Sequence, residues 1–250
     1  MPRRWTKEEQ AEKRGELLIL YVEQNKTIKE VGKIQGLSEQ TVYGRLKRLG
    51  IKTIPHLKKG YTNKRKLGNI INSEELAEFI GIMCGDGHIS KEQVFIHLGT
   101  KEKKYAKRIQ VLFHKLFGED LKSFLRDGKY TIFYVGFVEL LAFLKKMGLV
   151  EDKVKYQVGV PSWILKKDEF MQGFIRGFFD TDGSIYKLRW GNQISFTNRS
   201  LNLLKGTYTI LKRLDFNPSK ISGYSVYLTR QGDLLKFYTQ GIHRQILSNR

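Results

Sequence analysis

One pattern occurs twice in this chain at an interval of 96 residues, and each time it closes an apolar segment with Asp-Gly. Gly81, Asp86, Gly87 and Ile89 recur as Gly177, Asp182, Gly183 and Ile185, and Ile82-Met83 is answered by Phe178-Phe179. Self-similarity at a fixed offset marks a repeated structural unit, so whatever the first half builds the second must build again. Each motif is followed by a strand pattern (residues 94–98 and 193–197), an amphipathic helix pattern (104–117 and 200–214) and a hairpin-like segment, with Asp127-Gly128 as a good turn in the first. Each half then ends in a helix stopped by a glycine, Gly148 or Gly241. The expected order is αββαββα, twice, an α+β fold with halves at 73–160 and 161–250.

The motif segments read as helices with one narrow face. Gly81 with Gly85, and Gly177 with Thr181, stand four residues apart, so two such helices pack backbone to backbone at these positions. Their ends then converge, and Asp86 and Asp182 project side by side at helix C-termini whose partial negative charge favours a cation. Two bare carboxylates in that position repel each other. A hard divalent ion bound through oxygen resolves the repulsion, and Mg²⁺ (or Mn²⁺) is expected because neither repeat offers His or Cys at metal spacing. A single helix ending in Asp-Gly reads equally well as an ordinary C-terminal cap; its duplication favours the paired site. With a phosphodiester above it, a paired acid site of this kind performs hydrolysis.

Charge identifies the polymer. Lys and Arg number 45 against 25 Asp and Glu, a formal surplus of +20 that repels itself unless a polyanion neutralises it, so nucleic acid is the expected partner. No run approaches the roughly 20 apolar residues of a membrane-spanning helix, and Met1-Pro2-Arg3-Arg4 does not open a signal sequence, so no membrane partner is expected. The lone Cys84 rules out an internal disulfide and agrees with a reducing compartment. The expected location is cytoplasmic, nucleoid or organellar matrix, and not secreted.

Ahead of the duplication, residues 1–51 read as three short helices. Thr27 and Ser38 are N-caps, and Gly36 and Gly50 are stops. The stretch 27–50 resembles a helix-turn-helix module in which Val42, Leu46 and Leu49 face inward, leaving Gln40, Tyr43, Lys47 and Arg48 for a DNA groove. Residues 52–72 lack a hydrophobic period and read as a basic linker, with Lys64, Arg65 and Lys66 available to phosphates or a groove.

Phe79 to Gly87 and Ile175 to Gly183 resemble the signature of the LAGLIDADG homing endonucleases, in the form where one chain carries both motifs. The resemblance covers residues 73–250. It implies two pseudo-twofold-related αββαββα repeats whose curved antiparallel sheets ride in the DNA major groove, and a monomer that cuts both strands of a long asymmetric duplex site. It further implies catalytic and metal-binding roles for Asp86 and Asp182, with the backbone carbonyls of Gly85 and Thr181 as additional ligands. Lys153 matches the family's basic residue near the scissile phosphate, and His97 and Ser195 fall where the family orders solvent around its metals. Cys84 stands where the family's first Asp usually stands, and Arg176 replaces a small residue.

Sequence-reading side chains are expected on the sheets. Alternation puts Gln193, Ser195 and Thr197 opposite Ile194 and Phe196, and the preceding strand offers Lys187 and Arg189. Two other functions fit the same composition: an RNA-binding group I intron maturase holding structured intron RNA, and a noncatalytic DNA-binding regulator. Loss of either acid would favour the regulator, and neither is lost.

Overall fold

The computed structural model describes residues 5–53, 67–189 and 191–241. Lys64, Arg65 and Lys66 lie outside the described residues. The chain divides into two compact units, residues 1–64 and 65–250.

Among the described residues, the first unit packs three helices around its own small core of Leu17, Tyr21, Val31, Val42, Leu46, Leu49 and Ile51. Helix α1 (Lys7–Leu17) passes into a wider π-helical turn, Leu18–Glu23, so the helical segment changes its winding midway. Leu17 and Tyr21 both stay buried across the change. Helix α2 (Ile28–Gln35) starts on a capping box in which Thr27 and Glu30 satisfy each other's backbone N–H groups, and it ends at left-handed Gly36. Ser38 caps α3 (Glu39–Arg48) by accepting from the Thr41 N–H.

The second unit is built on two long helices. Helix α4 (Glu74–Cys84) is buried over most of its length and packs along α7 (Asp168–Asp182). After α4 come β1 (Gly87–Ile89), β2 (Val94–Gly99), α5 (Lys103–Phe117), β3 (Lys122–Arg126), β4 (Tyr130–Val135) and α6 (Val138–Lys146). After α7 come β5 (Gly183–Leu188), β6 (Gly191–Thr197), α8 (Leu201–Arg213), β7 (Ser225–Leu228) and α9 (Gln231–Thr239). The first sheet is antiparallel in the order β1-β2-β4-β3, and the second is antiparallel in the order β5-β6-β7. In the second half the strand before β7 is reduced to a Ser222 to Ser225 bridge and a Ser219 N–H donated to Tyr227 O.

Both sheets bury their helix-facing side in one core. Ile89, Val94, Ile96, Phe133 and Val135 enter it from the first sheet, and Ile194, Phe196, Val226 and Leu228 from the second. Each half has aromatic packing of its own: Phe79 meets Phe113 and Phe117 edge-on, while Phe179 meets Phe196 and Phe237 edge-on.

The α4–α7 seam is as close as its glycines allow. A Cβ on Gly81 would run into the backbone at Phe174 and lie 2.7 Å from Phe178 N, and one on Gly177 would overlap the Glu78 carbonyl. Along the same seam, buried Arg176 reaches back to Glu78 (3.0 Å) and Glu74 (2.8 Å), and Arg108 closes on Glu78 from the other side (2.6 Å). The large residue at the second motif position is therefore accommodated as the cation of a buried network. Gly81→Ala or Gly177→Ala is expected to destabilise the second unit by at least about 1–3 kcal/mol, because only backbone can yield. Gly232→Ala on open α9 is expected to change stability by no more than about 1 kcal/mol, in the stabilising direction. Urea unfolding of the three variants measures the difference.

Candidate active site at the ends of α4 and α7

Where the seam ends, the two motif acids meet. A Cβ on Gly85 would collide with Thr181 Oγ1 and lie 3.3 Å from the Asp182 carboxyl carbon, so the last turn of α4 rests directly on that of α7. Thr181 turns its hydroxyl back into its own helix, donating to the Gly177 and Phe178 carbonyls at 3.1 Å each. Asp86 lies just beyond the Gly85 C-cap of α4, with its backbone carbonyl accepting from the His97 N–H on β2. Asp182 is the final residue of α7.

Burial is the main influence on both carboxyls. It pushes Asp86 up to about 7, with the charges of Asp182 and Glu102 adding to the effect and Lys153 opposing it. Asp182 is also raised by burial, against a hydrogen bond from Asn198 Nδ2 at 2.5 Å and the charge of Lys153. Burial drives the neighbouring Cys84 thiol to about 12, which leaves it protonated at neutral pH and no thiolate ligand.

Lys153 approaches from the segment after α6. Its ammonium donates to the carbonyls of Met83 (3.1 Å), Cys84 (3.0 Å) and Gly85, capping the C-terminus of α4. Burial lowers its pKa, while Cys84, Asp182 and Asp86 raise it. The Gly85 carbonyl expected as a metal ligand thus already accepts from Lys153.

His97 stands beside Asp86 in a cavity that Glu102, Arg126 and Tyr130 also line. Its pKa is held down by burial first, then by the charges of His88, Arg126 and Lys153, which favours the neutral imidazole. Ser195 is buried, paired between Ser184 on β5 and Tyr227 on β7, so it is not offered to a ligand as an exposed contact. Gln193 and Thr197 share its sheet face. Lys187 and Arg189 are exposed, but Lys187 alternates with Ile185 and so lies on the opposite face from Gln193. In the first unit Gln40, Tyr43, Lys47 and Arg48 are all exposed. The Arg45 and Arg48 guanidinium groups lie over the Trp5 ring at 5.3 and 5.2 Å.

Asn198, Glu102 and Arg126 were not singled out from sequence. Asn198 has a readable signal only as a turn residue ahead of α8, where its Oδ1 accepts from the Ser200 N–H. Its second bond, to Asp182, depends on a strand register the sequence does not display.

Residues 169–240 match the family model described as "LAGLIDADG-like domain". Over that stretch the chain is similar to a LAGLIDADG-like domain. The crystal structure of I-DmoI in complex with DNA and Mn superposes on 71% of this chain and 98% of that one, with TM-score 0.51 and 19% identity, so the two-repeat LAGLIDADG fold is shared. The replication factor C small subunit of Methanocaldococcus jannaschii is 35% identical over 116 residues, 46% of this chain. An uncharacterized protein of the same organism is 24% identical over 184 residues, 66% of this chain. The chain spans 6% and 61% of these two relatives, respectively.

The site's donor chemistry fits a hard divalent cation. Two carboxyls of raised pKa stand beside one ammonium and offer the oxygen donors such an ion takes, and among the described residues no group of three or more His, Cys, Asp and Glu stands together. Without metal, the second unit bears the cost of ionising Asp86. Well below the ordinary carboxylate range, folded and unfolded chains both hold the proton. As pH rises the unfolded chain ionises first, and above about 7 the folded state carries the whole penalty, at most on the order of 4 kcal/mol. Asp86→Asn removes it, so in EDTA the variant's melting temperature is expected to exceed the parent's at about pH 8 and to equal it at about pH 3, as thermal unfolding across that range will record.

Proposed function

We propose that this chain is a site-specific endonuclease that hydrolyses both strands of duplex DNA at the junction of α4 and α7. The observation that carries this reading is the pair of motif carboxyls, Asp86 and Asp182, half-buried at one end of the seam and close enough that the charge of Asp182 raises Asp86, with Lys153 offsetting both. With both acids ionised and the lysine protonated, that group carries one net negative charge. A divalent cation turns it to one positive, which matches the single negative charge of a phosphodiester.

Asp86 and Asp182 would hold Mg²⁺ or Mn²⁺, and the bound ion would supply a water ionised near neutral pH and a counter-charge for the attacking and leaving oxygens. The chain's own groups do the positioning. Asn198 fixes one Asp182 oxygen. The Lys153 cap fixes the last turn from which Asp86 departs, and its positive charge would offset negative charge developing beside that turn. His97, neutral beside Asp86, serves as a hydrogen-bond partner for solvent in the cavity.

The surplus of +20 supports DNA as the polymer. So does the structural neighbour, whose described complex contains DNA and Mn. In this reading Gln40, Tyr43, Lys47 and Arg48 of the first unit extend the contact along the duplex, with Lys64, Arg65 and Lys66 between, and Gln193 and Thr197 face base edges.

Selection of cleaved sites from a randomised duplex library with Mg²⁺, compared with Ca²⁺, provides the substrate for the test. Asp86→Asn and Asp182→Asn are each expected to abolish cutting of the selected site while retaining affinity for it in a gel-shift assay. Cleavage by either variant would remove the mechanism. A parent protein that binds but cleaves under neither Mg²⁺ nor Mn²⁺ would be a DNA-binding regulator, and recovery of folded RNA in place of duplex would favour the maturase.

A further inference from the structure

Helix α3 presents two rows of side chains outside its core face, and one of them is tied to a ring that lies outside the helix. Residues three and four apart share a face, so Gln40, Tyr43, Gly44 and Lys47 line up along α3. Arg45 and Arg48 form the next row, one step toward the buried Val42, Leu46 and Leu49. Trp5 closes that step. It packs against the core of the first unit, its carbonyl accepts from Gln10 Nε2 at 3.2 Å, and the capping box of Thr6 and Glu9 fixes the backbone that follows it. Arg14 Nε, from the same helix α1, donates to the Leu49 carbonyl at the end of α3. The Arg45 and Arg48 guanidinium groups therefore lie over a ring that is anchored on the core.

Two guanidinium groups on one ring repel each other, and among the described residues neither is paired with an Asp or Glu. The negative end of α3 accounts for cations in its last turn, but not for two of them sharing one indole. A cation–π contact uses the face of a guanidinium and leaves its N–H groups at the edge, where their fork matches the oxygens of a phosphate. Base reading asks the opposite of a side chain, which must leave the protein surface and enter the groove. Arginines pinned to the flank of α3 are placed for the backbone beside the groove instead.

We propose that Trp5 is a positioning residue that holds Arg45 and Arg48 against neighbouring backbone phosphates of duplex DNA, leaving base edges to Gln40, Tyr43 and Lys47. This deepens the endonuclease reading and rests on its DNA-binding part alone, since neither Asp86 nor Asp182 enters. It moves Arg48 out of the base-reading row and adds Arg45 and Trp5, which the spacing of α3 by itself does not single out.

The test uses the full chain in EDTA, so that cleavage does not enter, with fluorescence anisotropy on two labelled duplexes of unrelated sequence. Trp5→Leu is expected to weaken binding to both by the same factor, about tenfold, with the slope of log affinity against log salt unchanged, because the charges remain and only their placement is lost. Arg45→Gln and Arg48→Gln are each expected to lower the magnitude of that slope by roughly 0.9, equally on both duplexes. With both arginines replaced, Trp5→Leu is expected to cost less than about twofold, a coupling that a merely structural indole does not produce. Trp5→Phe keeps a ring and is expected to bind within about threefold of the parent. Should Trp5→Leu lose the parental circular dichroism, Trp5→Phe and the arginine variants decide the matter by slope and by equality across the duplexes. An uncoupled Trp5→Leu effect, unchanged slopes in the arginine variants, or a loss confined to one duplex would overturn the proposal and leave the DNA reading standing. A parent chain that binds neither duplex would overturn both.

Discussion

Everything at the site depends on how closely two backbones approach along α4 and α7. Gly81 and Gly177 leave no side chain in the seam, and the contact on each is the other helix's main chain. Helices lined with leucine keep axes about 8–10 Å apart, and acids at their ends would sit in separate solvent shells. Here the close approach carries Gly85 onto Thr181 and Asp182, which brings two carboxyls into one partly buried volume. The raised pKa of each acid is thus a result of packing, and the appetite for a divalent ion follows from that electrostatic tension.

The two halves relieve the tension differently. Asp182 has a neutral partner in Asn198, while the last turn before Asp86 is held by a cation, Lys153, drawn from the connection after α6. Farther along the seam, Arg176 of the second motif pairs with Glu74 and Glu78 of the first helix. A pseudo-symmetric frame therefore carries an asymmetric set of charges. Fusion of both motifs into one chain permits this, because neither half has to be compatible with a copy of itself.

The helix order, the caps and the converging acids were legible in the sequence because each depends on local spacing. Glycines four or more residues from a terminal Asp-Gly specify a face and an end, and the repeat offset states that there are two of them. Strand register is not local. Nine residues separate Gly87 from its partner Ile96, but thirteen separate Gly183 from Phe196. The 96-residue offset therefore fails past the motif: His97 corresponds in register to Thr197, and Asn198 falls beside Asp182. Side-chain alternation does place Ser195 with Gln193, but it says nothing about Tyr227 on the neighbouring strand, beside which Ser195 is buried. Lys187 was grouped with Gln193 on polarity alone, whereas its parity along β5 assigns it to the other face.

The aromatic outer face of the first sheet, with Phe95, Tyr134 and Phe124, was hidden for a related reason. Val94-Phe95-Ile96-His97-Leu98 is apolar at almost every position, and such a run reads as a strand buried on both sides. Only the pairing of four strands shows that one parity of apolar residues fills the core while the other lines up at the surface. The first sheet's outer face is thus lined with rings and the second's with polar groups, on one duplicated scaffold. Selection for the seam constrains α4 and α7 together, since a change in either shifts both acids, and it leaves the outer faces of the sheets free to diverge.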